Sequence, residues 1–201
     1  MVAGVLLSNA LRRADLMGMP EAVYYTADMV RALIDETRPW PRYEVVYGEL
    51  LVSPAPRAWH QEIVKRLLVG LDAYLARERV GHVLMAPADI SWGPDTLVQP
   101  DVFAFPLDEV RRFDWRDMKT MLFAAEVLSP SSLRADRFTK RRLYQEVGVP
   151  LFWVVDADSN AVEAWRPDLT FPEIERERVV WHPSGAARPF EVELAELVRP
   201  L

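Results

Sequence analysis

One long amphipathic stretch followed by a succession of short apolar runs constrains what this chain can fold into. From Ala58 to about Glu78, Ile63, Leu67, Leu68, Leu71 and Leu75 recur at helical spacing and predict a long helix with a buried stripe. Strand-like runs follow at His82 to Ser91, Leu97 to Phe105 and Met121 to Leu128. A second helical pattern then spans Leu133 to Val147, and Leu151-Phe152-Trp153-Val154-Val155 reads as a further strand. The order αβββαβ predicts an α/β fold.

Around this series, Thr26 caps a short helix over residues 27–34, and Arg42 to Val52 reads as two strands turning near Tyr47-Gly48. Pro54 and Pro56 close that N-terminal hairpin. C-terminal strands near Ala161 to Arg166 and Arg178 to His182 are expected to extend the sheet, with a last short segment at Val192 to Val198. Asp108 to Lys119, rich in charge, is the expected irregular insertion. At 201 residues, half of them hydrophobic, the chain can bury one sizeable core. Residues 21–201 are therefore expected to form a single domain, with 1–20 an extension of weak organisation.

Two carboxylates interrupt the apolar runs: Asp101 in Leu97-Val98-Gln99-Pro100-Asp101-Val102-Phe103, and Glu126 in Met121-Leu122-Phe123-Ala124-Ala125-Glu126-Val127-Leu128. Burying an ionised carboxylate is costly unless a cation, a proton or several donors compensate it. Alternation along the first run puts Asp101 on one face with Leu97, Gln99, Phe103 and Phe105, and Pro100 cannot donate to a strand ladder, which opens the pairing beside the carboxylate. Glu126 ends its strand just before the turn Ser129-Pro130-Ser131-Ser132, a common position for sites in open α/β sheets.

Lys140 is the expected cation. Only three lysines occur in the chain, Lys65, Lys119 and Lys140. Asp136, Lys140, Leu143, Tyr144 and Val147 share one helical sector, so Lys140 leans towards the sheet while Arg142 points away. Taken on spacing alone, Asp136 and Lys140 also fit a surface i, i+4 pair. Cysteine is absent, which excludes disulfides and cysteine-bound zinc and makes the reducing cytoplasm the expected compartment. His60, His82 and His182 are scattered, so a metal here would be held by oxygen, which suits Mg2+ or Mn2+.

No apolar run reaches the roughly 18 residues that span a bilayer, so no membrane partner is expected. A net charge of -6 argues against a protein that coats nucleic acid, yet leaves room for a local basic groove. Arg134, Arg137, Lys140, Arg141 and Arg142 cluster directly after Glu126.

Pro100-Asp101, Glu126-Val127-Leu128-Ser129-Pro130-Ser131, Asp136 with Lys140, Tyr144, Gly148-Val149-Pro150 and Trp153-Val154-Val155-Asp156 resemble, in order and spacing, the Uma-type restriction endonuclease family of the PD-(D/E)xK nuclease superfamily. Tyr43-Glu44, Gly48-Glu49-Leu50 and His60 add to the likeness, which runs from about Tyr25 to Arg166. The resemblance implies a restriction-endonuclease-like core, a central mixed sheet flanked by helices. It also implies Asp101 and Glu126 as metal-binding carboxylates, helped by the Val127 backbone carbonyl. Leu128 stands where the superfamily pattern has its lysine, and the lysine role passes to Lys140.

The expected activity is metal-dependent hydrolysis of DNA phosphodiester bonds, with Asp101, Glu126 and Lys140 as catalytic residues. Glu49 and His60 are candidate supporting groups, although a solvent-facing hairpin residue and a helix-start residue satisfied by backbone groups describe them equally. Arg134, Arg137 and Arg141 are candidate DNA contacts against the simpler reading of a solvated helix face. A homodimer would pair two sites for two strands. Two alternatives remain open at this level: a nuclease fold that no longer cuts and serves as a DNA-binding or protein-interaction module, and a small-molecule phosphodiesterase using the same metal site.

Overall fold

The computed structural model describes residues 23–200, apart from 36 and 39. The expected extension over residues 1–20 lies outside the described residues. Thr26 accepts a hydrogen bond from the Met29 N–H at 3.2 Å and caps a short helix, α1, at Ala27–Arg31. A hairpin follows, β1 at Arg42–Val46 and β2 at Glu49–Ser53. Its two turn residues, Tyr47 and Gly48, both have positive φ, 53° and 77°, which matches the twist of the flanking strands.

Helix α2, Ala58–Glu78, buries Ile63, Val64, Leu67, Leu71, Tyr74 and Leu75 along one stripe and stops at Arg79, whose backbone is left-handed. Strand β3, His82–Met85, and β4, Val102–Phe105, are shorter than their apolar runs. Pro87 and Pro100 lack the N–H that a continued ladder needs, and the chain between them folds back on itself through an Ile90–Val98 bridge. Asp101 consequently stands at a bend just ahead of β4, not inside a pleated strand.

After a short helix α3, Leu107–Val110, and a 3-10 turn at Trp115–Asp117, β5 occupies Phe123–Val127. The second helical segment opens as a π-helical turn, Ala135–Lys140, and continues as α4, Arg141–Glu146. Strands β6 at Phe152–Asp156, β7 at Ala161–Trp165 and β8 at Glu173–Glu175 complete a six-stranded sheet in the order β3-β4-β5-β6-β7-β8. Only β5 and β6 run parallel, and the crossover between them carries the π-turn and α4. The sheet is mixed, as the resemblance implied.

Two apolar layers sandwich it. On one face Val102, Ala104, Phe123, Ala125, Val127 and Trp153 pack under α2; on the other Phe103, Phe105, Ala124, Phe152 and Val154 pack under Leu143 and Tyr144. Glu126, alternating with Ala125 and Val127, therefore faces the α4 side. The expected strand at Arg178 to His182 forms as β9, Arg178–Trp181, but does not extend the sheet: it pairs with β10, Phe190–Glu193, in a separate ribbon. Trp181 and Phe190 bury one side of that ribbon against Tyr74 of α2, with centroids at 6.1 and 5.5 Å, and that apolar contact outcompetes the edge of β8. A last helix, α5, spans Leu194–Leu197.

Trp153 is 1% exposed and meets Phe123 edge to face at 4.9 Å in the layer beneath α2. Trp153→Ala should lower stability by roughly 3–5 kcal/mol, read as a fall in the urea midpoint with an unchanged slope.

Candidate active site

Five elements meet at one end of the sheet. Strand β1 supplies Arg42 and Glu44, the first turn of α2 supplies His60, the bend before β4 supplies Asp101, β5 supplies Glu126, and the π-turn supplies Asp136 and Lys140. All seven line one cleft of about 240 Å3. Wide π-helical turns are uncommon and often mark functional positions; this one buries both Asp136 and Lys140.

Lys140 lies at the centre. Its Nζ is 2.8 Å from Glu44 Oε2, 3.0 Å from Glu126 Oε1 and 3.4 Å from Asp136 Oδ1. The four groups are between 1% and 4% exposed. Glu44 also accepts the Gln99 N–H at 2.7 Å, which locks the hairpin to the segment leading into Asp101. Asp101 has its own set of partners: Oδ2 accepts the Val127 N–H at 3.0 Å and meets His60 Nε2 at 3.0 Å, while Oδ1 lies 3.3 Å from Arg42 Nη1. The backbone bond to Val127 ties the Asp101 carboxylate to the residue next to Glu126.

The two carboxylates singled out by the sequence are driven in opposite directions. Burial works to raise the pKa of Asp101, but His60, Arg42 and the Val127 N–H outweigh it and hold the group at about 2. Burial pushes Glu126 well above the ordinary carboxylate range; Lys140 opposes this, and the charges of Asp136, Asp101 and Glu44 reinforce it. Asp136 is likewise raised, by burial first. Burial alone would lower Lys140, yet the three surrounding carboxylates outweigh it and keep the ammonium charged. Carboxylates with values pushed apart in one cleft characterise acid-base and metal chemistry.

The donor set suits a hard divalent cation. Four buried carboxylates face one buried ammonium, and Arg42 and His60 contact Asp101. Asp136 Oδ1, although within ion-pairing distance of Lys140, makes no hydrogen bond. Oxygen ligands with an excess of negative charge match Mg2+ or Mn2+. Lys140 sits among the acids as they stand, and among the described residues no three Asp, Glu or His side chains form a ready-made metal cluster.

The other candidates disperse. Glu49 is exposed at the start of β2 and lines no part of the cleft. Arg134 is exposed outside it. Arg137 pairs with Glu163 at 2.6 Å and Asp156 at 2.8 Å, which pins the π-turn to β6 and β7. Arg141 lies 4.8 Å over the Trp165 ring and donates to Gln145 Oε1 at 2.8 Å. Two residues that the sequence reading did not assign to the site, Glu44 and Arg42, hold Lys140 and Asp101 directly. Glu44 carried a usable signal, since it interrupts Tyr43-Glu44-Val45-Val46 just as Glu126 interrupts its own apolar run.

A mixed sheet between two helical layers, with an acidic cleft at the strand ends, defines a nuclease-like α/β protein. The family model described as "Putative restriction endonuclease", Uma2, matches residues 27–195, and the chain belongs to that family. A crystal structure from Anabaena variabilis, described as "a putative nuclease belonging to DUF820", shares the fold with a TM-score of 0.70 at 20% identity, covering 87% of this chain and 97% of that one. No curated protein matches. Among the described residues, no helix is long and apolar enough to cross a membrane.

Removing the ammonium should leave the buried acids uncompensated. Lys140→Ala is expected to cost roughly 3–5 kcal/mol at pH 7.5. Burial already raises Glu126 and Asp136, and loss of the ammonium that opposes this raises them further, so as pH falls the folded variant takes up protons that wild type does not and regains stability relative to it. The gap in Tm between wild type and Lys140→Ala should therefore narrow from pH 7.5 to pH 5; a constant gap would contradict this electrostatic account. Asp101 acts with the opposite sign, contributing stability above about pH 4 that is lost as pH falls towards 2.

Proposed function

We propose that the protein is a metal-dependent endodeoxyribonuclease. The observation that carries this reading is the convergence of Asp101, Glu126 and Lys140, from a strand entry, a strand end and a helical turn, in one buried acidic cleft. Family membership supports a nuclease, and the chemistry of the cleft supports the metal.

Asp101, Glu126 and the Val127 carbonyl would hold Mg2+ or Mn2+. A divalent cation supplies Lewis-acid polarisation of a phosphoryl oxygen and a bound water of lowered pKa. Asp101 is suited to its part because its carboxylate is ionised and oriented by the Val127 N–H. His60 Nε2 fixes the Asp101 carboxylate from the α2 side. Lys140, held by Glu44 and Asp136, presents a positive charge beside Glu126 that orients the attacking water and stabilises negative charge developing on the phosphate. Glu44 and Asp136 thus position the lysine and do not themselves touch the substrate.

The competing reading is a nuclease fold that binds DNA without cutting it. It draws on Leu128, which occupies the usual lysine position, and on the tight engagement of Lys140 by three carboxylates. Supercoiled plasmid incubated with Mg2+ separates the two. Wild type should nick or linearise it, and EDTA, Asp101→Asn or Glu126→Gln should each reduce cleavage to background while circular dichroism stays unchanged. Cleavage that persists in EDTA and in both variants would sink the metal-dependent assignment; binding without cleavage by wild type would establish the competing one.

A further inference from the structure

The floor of the cleft repels the substrate that the proposed activity requires. Glu44, Asp101, Glu126 and Asp136 are all acidic, and a DNA strand brings more negative charge. Three cationic side chains, those of Arg42, Arg57 and Lys140, line the cleft among the described residues. Arg42 is held by Asp101 and the Gln99 carbonyl at 3.0 Å, and Lys140 by its three carboxylates. Arg57 alone of the three makes no ion pair and no side-chain hydrogen bond among the described residues. It is exposed, just ahead of α2, and its side chain takes no part in capping that helix.

Arg57 also occupies a junction. A second, smaller hollow of about 140 Å3 adjoins the first, and the two share Arg57, His60, Val127, Ser129 and Pro130. The smaller one is lined by Trp59 and Ile63 of α2, by Leu128 and Leu133 after β5, and by Asp156 and Asp158 at the end of β6, so apolar surface suited to a sugar or base stands beside two further acids, with Arg57 the cation at its mouth. A strand lying across the acids would pass from one hollow into the other beside Arg57.

We infer that Arg57 is the residue that draws the DNA backbone into the cleft and grips a phosphate where the two hollows meet. This rests on the nuclease reading given above. Arg137 and Arg141 are engaged by their own neighbours, and Arg134 lies outside both hollows, so none of them substitutes for it. A guanidinium suits the task because it can meet two phosphate oxygens with parallel N–H donors. It contacts the backbone and no base edge, so the grip is independent of sequence.

The test is binding of a short mixed-sequence DNA duplex to the full chain in EDTA, where cleavage does not interfere, followed by fluorescence anisotropy across a salt series. Arg57→Ala should weaken binding roughly three- to tenfold at low salt. The slope of log K against log salt should become shallower by about 0.9, the signature of one lost phosphate contact. Arg57→Lys should restore the slope and part of the affinity, and Arg112→Ala, on no wall of the cleft, should match wild type. Under turnover with Mg2+, Arg57→Ala should raise KM with kcat little changed, as expected when a ground-state contact is lost. Wild-type binding with an unchanged affinity and slope in Arg57→Ala would overturn the role of Arg57 and leave the nuclease reading standing. Failure of the wild-type chain to bind the duplex in EDTA and also in Ca2+, which restores a divalent cation to the acids, would overturn both.

Discussion

The buried ammonium of Lys140 is the contact on which the rest of the cleft depends. It joins three parts of the fold that are distant in sequence: the hairpin through Glu44, the central sheet through Glu126 and the π-turn through Asp136. None of these carboxylates could be buried ionised by itself, and the ammonium could not be buried without them. The hairpin is secured a second time by the Glu44 bond to the Gln99 N–H, and that bond places the Gln99–Asp101 segment against β1. The position of Asp101 is thus inherited from the same charge cluster that holds Lys140.

The cluster is balanced towards acid, and the imbalance connects structure to chemistry. Arg42, His60 and a backbone N–H keep Asp101 ionised, whereas Glu126 and Asp136 share one lysine and are pushed upward by burial. A divalent cation would relieve this excess and is the kind of ligand that carboxylate and carbonyl oxygens select. The same excess is unfavourable for a polyanionic substrate, which makes a free positive charge at the rim as necessary to the proposed chemistry as the acids on the floor. In the proposed chemistry, positions on the two sides of the cleft would have separable duties, Asp101, Glu126 and Lys140 at the reacting phosphate and Arg57 at its approach.

Much of this was legible from residue patterns because burial and periodicity are local signals. The long helix was read to its ends, and the order αβββαβ and the hairpin turn at Tyr47-Gly48 follow from spacing and turn chemistry. Asp101 and Glu126 stood out as carboxylates in apolar runs, and helical spacing turned Lys140 inward. What escaped depends on tertiary competition. The β9–β10 ribbon prefers the aromatic surface of α2 to the edge of the sheet, a choice that no strand pattern encodes. Arg137 and Arg141 look free in a basic run, yet their partners Asp156, Glu163 and Trp165 come from strands that follow later in the chain. Glu44 carries the same local signal as Glu126, a carboxylate set in an apolar strand.

Diffraction from crystals soaked in Mn2+, recorded near the manganese absorption edge, tests whether Asp101 and Glu126 hold a divalent cation. An anomalous peak bound by the carboxylates of Asp101 and Glu126 is expected, with the Val127 carbonyl beside it and Lys140 still anchored by Glu44. Saturating Mn2+ that leaves this cleft without a peak, with Lys140 Nζ still seated on Glu126 Oε1, would contradict it.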